Sequence, residues 1–274
     1  MKKIWLRFSM LAALMMCLMS VSVLAQGSQD RGMTCNDRSN WNNRPSHYEL
    51  REQTLSATGG TINVDGGQNG GVSVKGWDRG EILVRACVQT QAYSEAEARD
   101  LATQIRIETN GLRISAQGPS SFSRNERNWS VSYEVFVPRQ SDLSLKSHNG
   151  GISISEVRGR IEFDAHNGGV SLNQLGGSVR GQTHNGGLTV NLGGDRWNGE
   201  GLDVRTTNGG VNLVMPENYS AHLETSTVNG GLNLGFPVTV QGRIKKDLSV
   251  DLGSGGATLR VVTTNGGVSI KRKG

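Results

Sequence analysis

Three histidines recur at one place in a repeated phrase: His148 in SHNGGISI, His166 in AHNGGVSL and His184 in THNGGLTV, each eighteen residues after the last. Imidazole is the commonest protein ligand for zinc and copper. Three in register on successive repeats are therefore the first place to look for chemistry. Later copies carry Thr207, Val228 and Thr264 instead, and no carboxylate recurs beside the column; Asp164 alone lies near enough to act as an outer partner. That pattern reads as a solvent-facing ladder. His148, His166 and His184 stay as weak metal candidates, and no metal or cofactor is expected.

Other chemistries find less support. Calcium-binding glycine-rich rolls need an Asp at a fixed offset from each turn, and here Ser, Thr or Asn stands at that offset. Exported β-helices include polysaccharide lyases and hydrolases, which mount paired acids on one face. Here Glu156, Glu162, Asp164, Asp195, Glu200, Asp203 and Glu217 are scattered singly, and no G-x-S-x-G or HExxH pattern appears. A carbohydrate-active lyase or hydrolase is thus the second reading. Trp197, in the longest corner, serves either as a turn-filling residue or as an exposed platform for a sugar.

The chain opens MKKIWLRFSMLAALMMCLMSVSVLAQ, in which Lys2, Lys3 and Arg7 precede an uncharged run to Ala25. This is a secretory signal peptide over 1–25, cut after Ala25, and it leaves no transmembrane segment in the mature chain. The product is exported: periplasmic, cell-surface or secreted. Cys17 leaves with the leader, so Cys35 and Cys87 remain in an oxidising compartment and are expected to pair. Of the formal charge of +5, three units belong to the leader. No basic patch interleaved with aromatics remains, which argues against nucleic acid as a partner.

The elements that hold these residues follow from periodicity. Residues 26–54 are a polar lead-in with no sustained period, extended or disordered. Residues 55–140 form a β-rich region with one helix: TINV, VSVKGW, EILVRACV and WSVSYEVFV alternate as strands do. SEAEARDLATQI starts with the Ser94/Glu97 capping box. Asn110-Gly111 then predicts a type I′ hairpin. Residues 141–274 are a repeat built on N-G-G turns at Asn149, Asn167, Asn185, Asn208, Asn229 and Asn265, with an early copy at Asn69 and a degenerate one at Ser254-Gly255-Gly256.

Parity along RIEFDAHNGGVSL puts Ile161, Phe163, Ala165, Val170 and Leu172 inward. It also places a small residue at the inner slot before every turn (Ser147, Thr183, Thr206, Thr227, Thr263). Looser glycine corners lie between the NGG turns. Two strands and two corners in eighteen residues make one rung of a two-sheet, parallel β-helix-like solenoid, each rung about 4.8 Å from the next. Stacked turns let each Asn bond its neighbour's amide. Each turn glycine is expected to sit at positive φ, so that a β-branched residue at Gly168 would be strained. An antiparallel meander or sandwich satisfies the same parity.

GWDR at Gly76–Arg79, NWSVSYEVFVP at Asn128–Pro138 and GLDVRTTNGGVNL at Gly201–Leu213 resemble a bacterial family of β-strand-repeat proteins named as adhesins, a domain of unknown function. The resemblance runs from about Leu55 to the C-terminus. It implies a β-solenoid of the cell envelope or exterior and brings no catalytic residues with it. The function expected is non-enzymatic: an adhesin-like structural or interaction protein that binds an envelope protein or glycan, with end-to-end self-association possible at the open ends.

Overall fold

A period of two places every apolar side chain of a strand on one face, and strands form wherever that period occurs. The computed structural model describes Cys35 and residues 44–120, 127–236 and 246–273. The leader expected over 1–25, and the lead-in up to residue 43 apart from Cys35, lie outside them. Before the repeats come β1 (Ser46–Ser56), β2 (Thr61–Asp65), β3 (Val72–Trp77), β4 (Glu81–Gln91), α1 (Glu95–Thr103), β5 (Arg106–Glu108), β6 (Arg113–Gln117) and β7 (Asn128–Pro138). Pairs of strands separated by NGG turns follow: β8 (Asp142–Ser147) with β9 (Ile152–Ser155), β10 (Arg158–Ala165) with β11 (Val170–Asn173), and β12 (Gly176–Asn185) with β13 (Leu188–Asn191). The next pairs are β14 (Gly201–Asn208) with β15 (Val211–Pro216) and β16 (Ala221–Asn229) with β17 (Leu232–Leu234). The last elements are β18 (Asp247–Leu252), β19 (Thr258–Asn265) and β20 (Val268–Lys273).

Each pair is one rung, because its first strand enters one ten-stranded sheet and its second enters the other. The sheet orders are β18-β16-β19-β14-β12-β10-β8-β2-β6-β5 and β1-β4-β7-β3-β9-β11-β13-β15-β20-β17. Successive rungs pair parallel and in register: Ile161 lies between Leu143 and Val179, and Val170 between Ile152 and Leu188. The fold is therefore a two-sheet β-solenoid. The antiparallel meander is excluded for the repeats, and antiparallel pairing appears toward the ends, in β1-β4-β7, β5-β6 and β16-β18.

The rungs do not stack in sequence order. The last one, β19/β20, inserts between β14/β15 and β16/β17. Ser254-Gly255-Gly256, read as a degenerate repeat turn, is instead the link that makes this possible. With Gly253, Gly255 and Gly256 at φ 57°, 72° and 137°, it carries the chain from β18, antiparallel on the far side of β16, back into the slot on the near side.

The interior is a set of aliphatic columns, one residue per rung, such as Leu143, Ile161, Val179, Leu202, Leu259 and Leu223, all buried. Phe163 is the bulky exception. Its neighbour on the next rung is Gly181, and a Cβ there would lie 2.5 Å from the Phe163 ring. Large and small residues thus interlock between these two rungs.

Two expectations for the N-terminal part need correction. The strands begin before Leu55: residues 46–54, read as part of an extended or disordered lead-in, belong to β1, which pairs with β4 along its whole length. They look polar because an edge strand buries little of either face. Within β1, Arg51 donates to the carbonyls of Ile105 (2.6 Å) and Ala102 (2.9 Å) and closes the C-terminal end of α1. The start of α1 is capped as expected, with the Ser94 hydroxyl accepting from the Glu97 amide at 3.2 Å. Asn110-Gly111 does lie within a hairpin between β5 and β6, but Gly111 alone of the two has positive φ (62°). The connection is therefore a wider loop than a type I′ turn. Strands β2 and β3 form the first rung of the same two sheets as the repeats.

Candidate functional site

The NGG corner gathers most of the predicted residues into three parallel files. In the outermost, the side-chain amides of Asn69, Asn149, Asn167, Asn185, Asn208, Asn265 and Asn229 form one ladder in that spatial order, each Nδ2 donating to the Oδ1 of the Asn before it at 2.7–2.9 Å. Inside it runs a second ladder that residue types alone did not reveal. The buried hydroxyls of Thr183, Thr206, Thr263 and Thr227 donate at 2.7–2.8 Å to the carbonyl of the first turn glycine on the neighbouring rung. Ala165 has no hydroxyl to offer. The carbonyl it would serve, that of Gly150, lies 2.7 Å from the hydroxyl of Ser147. Buried carbonyls need such partners.

Between the ladders lie the glycines, and here the expected reason for glycine is wrong. Among the described residues, no NGG glycine of the stacked rungs has positive φ; the positive values fall at the opposite corner, at Gly159 (151°), Gly177 (89°), Gly199 (139°) and Gly201 (146°). What the first turn glycine requires is proximity. A Cβ on Gly150, Gly168, Gly186, Gly209 or Gly266 would lie 2.1–2.2 Å from the carbonyl oxygen of the glycine one rung away.

His148, His166 and His184 stand beside this corner as a face-to-face stack, with ring centroids 4.6 Å apart at 5° and 5.2 Å apart at 23°. An imidazole lone pair lies in the plane of its ring, so near-parallel stacked rings aim their nitrogens side by side instead of converging on one ion. Among the described residues, no three His, Cys, Asp or Glu side chains come together in a metal-binding group. Asp164 accepts from Gln182 at 3.5 Å. The expected result is that His166→Thr, which installs a residue found at this slot on later rungs, shifts stability by no more than about 0.5 kcal/mol, and that zinc at pH 7.5 leaves the melting temperature of either protein unchanged. A zinc-induced rise that disappears in His166→Thr and at pH 5 would instead establish a metal site.

The two outer faces differ in chemistry. The sheet containing β10, β12, β14, β19 and β16 aligns Glu162, Arg180, Asp203, Arg260 and Glu224 in one cross-strand column of alternating sign. Arg260 reaches Asp203 at 3.0 Å and Glu224 at 3.8 Å. This open strip interleaves its carboxylates with cations. A glycosidase, by contrast, keeps one carboxyl neutral by apolar burial beside an ionised partner.

At the end of that sheet the structure brings together three residues that the sequence did not single out. His222 Nδ1 is 2.7 Å from Asp251 Oδ1, and His222 Nε2 is 3.1 Å from Ser249 Oγ. The distances match a Ser-His-Asp relay, but Asp251 is 69% exposed. Solvent then screens the carboxylate that would have to stabilise an imidazolium, so the group is a set of cross-strand neighbours on a wet face.

At the wide corner, Trp197 is buried and donates its indole N–H to the Gly177 carbonyl at 2.9 Å, which makes it a turn filler. Trp77 and Trp129 are half-buried in the N-terminal part, their indoles bonded to the carbonyls of Glu81 and Pro119. Nearby, Arg139 joins Asp78 (2.7 Å) and Glu156 (2.5 Å). Its hydrogen bond holds the Asp78 carboxyl below the usual range. Glu156 and Gln174 take left-handed backbone (φ 58° and 51°) where successive rungs turn.

A search of curated proteins finds no match. Among solved structures, a protein of Clostridium sporogenes named for cell adhesion aligns over 83% of this chain and 100% of its own, at 10% identity and a TM-score of 0.45. An adhesin by name from Bacteroides fragilis aligns over 83% and 97%, at 10% identity and 0.36. A protein of Parabacteroides distasonis named for lipid binding aligns over 82% and 97%, at 10% identity and 0.32. The family model for Toastrack DUF4097 matches residues 18–271, and with nearly the whole chain inside that match the protein belongs to this family.

Proposed function

We propose that this is an extracytoplasmic, non-enzymatic interaction protein, adhesin-like in that it offers the long side of a rigid solenoid to a component of the cell envelope, a protein or a glycan. The observation that carries the reading is the register of the outward side chains. Asn, His, hydroxyl and charged residues each repeat in straight files at about 4.8 Å, held by two ladders of hydrogen bonds and a buried aliphatic interior. Such a surface is preorganised for an extended partner and loses little conformational entropy on binding. The Cys35–Cys87 disulfide supports the extracytoplasmic assignment, because such bonds persist in oxidising compartments. No helix among the described residues is long and apolar enough to cross a membrane.

The test is co-sedimentation of the mature chain with envelope preparations from its own cells, with release of reducing or unsaturated sugar ends measured in parallel. Saturable binding without sugar release is expected. Absence of binding to every envelope fraction, or turnover of a glycan, would overturn the reading.

A further inference from the structure

The sheet face opposite the charged strip carries no charge over the four rungs between Lys75 on β3 and Lys271 on β20. On the four rungs of β9, β11, β13 and β15, the outward positions next to the glycines are Ser153, Ser171, Thr189 and Asn212, in register, and the file beyond them is Ser155, Asn173, Asn191 and Val214. Not one of these eight residues is charged. The second glycine of each turn also faces outward, so a trough of bare backbone runs between the first of these files and the Asn ladder. Where Thr189, Asn212, Ser269 and Asn233 wall it, the trough opens to about 600 Å³.

The hydrogen-bonding capacity of this trough is unspent. Each amide inside the ladder uses one N–H and one oxygen lone pair on its neighbours and keeps one of each. Among the described residues, no hydrogen bond engages the hydroxyls of Ser153, Ser171 or Thr189. A file of donors and acceptors without charge matches a polymer of the same kind. A polyanion would meet no cation on these rungs, and a charged peptide would leave its charges uncompensated against them. The rise of about 4.8 Å per rung is also close to the length that one hexose adds to an extended chain.

We propose that this trough binds a linear, neutral polysaccharide laid along the solenoid axis, each rung meeting about one sugar through the Asn amide on one side and the Ser, Thr or Asn side chain on the other. The inference rests on the lateral-binding reading above and specifies its partner. Single-rung contacts are weak, and their repetition along one rigid face supplies the affinity.

The experiment is native affinity electrophoresis of the full mature chain in gels containing hydroxyethyl cellulose, laminarin or dextran, with polygalacturonate as the acidic comparison. The variants are Ser171→Lys/Asn212→Lys in the trough and Arg180→Glu on the opposite face, with melting curves to show that each is folded. At least one neutral polymer should retard the wild type equally at 0.05 and 1 M salt, on the scale where counterion release would abolish a charge-driven complex. The trough variant should bind at least about tenfold more weakly, a difference of about 1.4 kcal/mol, and Arg180→Glu should match wild type. Retardation by polygalacturonate alone, by no polymer, or to an extent cut equally by Arg180→Glu would overturn the proposal. If no glycan retards the chain while envelope co-sedimentation still falls in the trough variant, the partner is a protein: the inference fails and the lateral-binding reading stands. Loss of both signals removes both.

Discussion

Replacing Gly168 by alanine should destabilise the protein by about 3 kcal/mol or more, whereas the same change at Gly231 should be nearly neutral. Both residues belong to NGG turns, and neither has positive φ, so backbone propensity does not separate them. Space does. A methyl on Gly168 would lie 2.1 Å from the Gly150 oxygen and 2.5 Å from its carbonyl carbon, and both partners are backbone atoms within a stacked pair of rungs. The rungs would have to part, which breaks the Asn167–Asn149 amide bond (2.9 Å) and disturbs the Thr183 hydroxyl bond to the Gly168 carbonyl (2.7 Å). Gly231 lies on the terminal rung and faces no atom within 4 Å. Overpacking of this kind costs 1–3 kcal/mol where side chains can yield and more where backbone cannot. For a chain of this size that corresponds to a melting temperature lower by about 10 °C. Equal melting temperatures for Gly168→Ala and wild type would show that the turns are not stacked as described.

Removing the Cys35–Cys87 bridge should cost about 4 kcal/mol on the loop-entropy model, because the cross-link spans 52 residues. The loop it closes contains β1, β2 and β3, that is, the first rung and the edge strand. Cys87 lies in β4, between β1 and β7, so the bridge fastens the segment before β1 onto a strand paired on both sides. The mature protein denatured without reductant should show no free thiol, and Cys35→Ser/Cys87→Ser should melt roughly 10 °C below wild type. Two free thiols per chain, or a melting curve unmoved by the double substitution, would show that the bridge does not stabilise the fold. The loss should appear first in β1 and α1, since Arg51 ties one to the carbonyl end of the other. Hydrogen exchange would place it there.

The sequence by itself determined the repeat unit. An eighteen-residue period, N-G-G between alternating strands and a small inner residue before each turn specify two strands, two corners and which side chains face in, because pleat and turn chemistry are local. It also made the Asn ladder legible, since identical turns in register place identical amides together. Only the tertiary structure decided the order of the last rungs. The rungs of Asn208, Asn265 and Asn229 present the same amide and threonine-hydroxyl bonds, so local chemistry cannot distinguish Asn265 from Asn229 as the neighbour of Asn208. The antiparallel β18 and its glycine link decide it by the path they force on the chain. The reason for glycine at the turn was likewise invisible. A Gly-Gly pair reads equally as a demand for positive φ or for closeness, and the distance from Gly168 to Gly150 exists only when two segments eighteen residues apart have been stacked. The neutral and charged faces occupy a middle ground. Alternation exposes Ser171 and Arg180 alike, but which outward residues share a face, and so what each side of the solenoid can bind, depends on the assignment of each strand to its sheet.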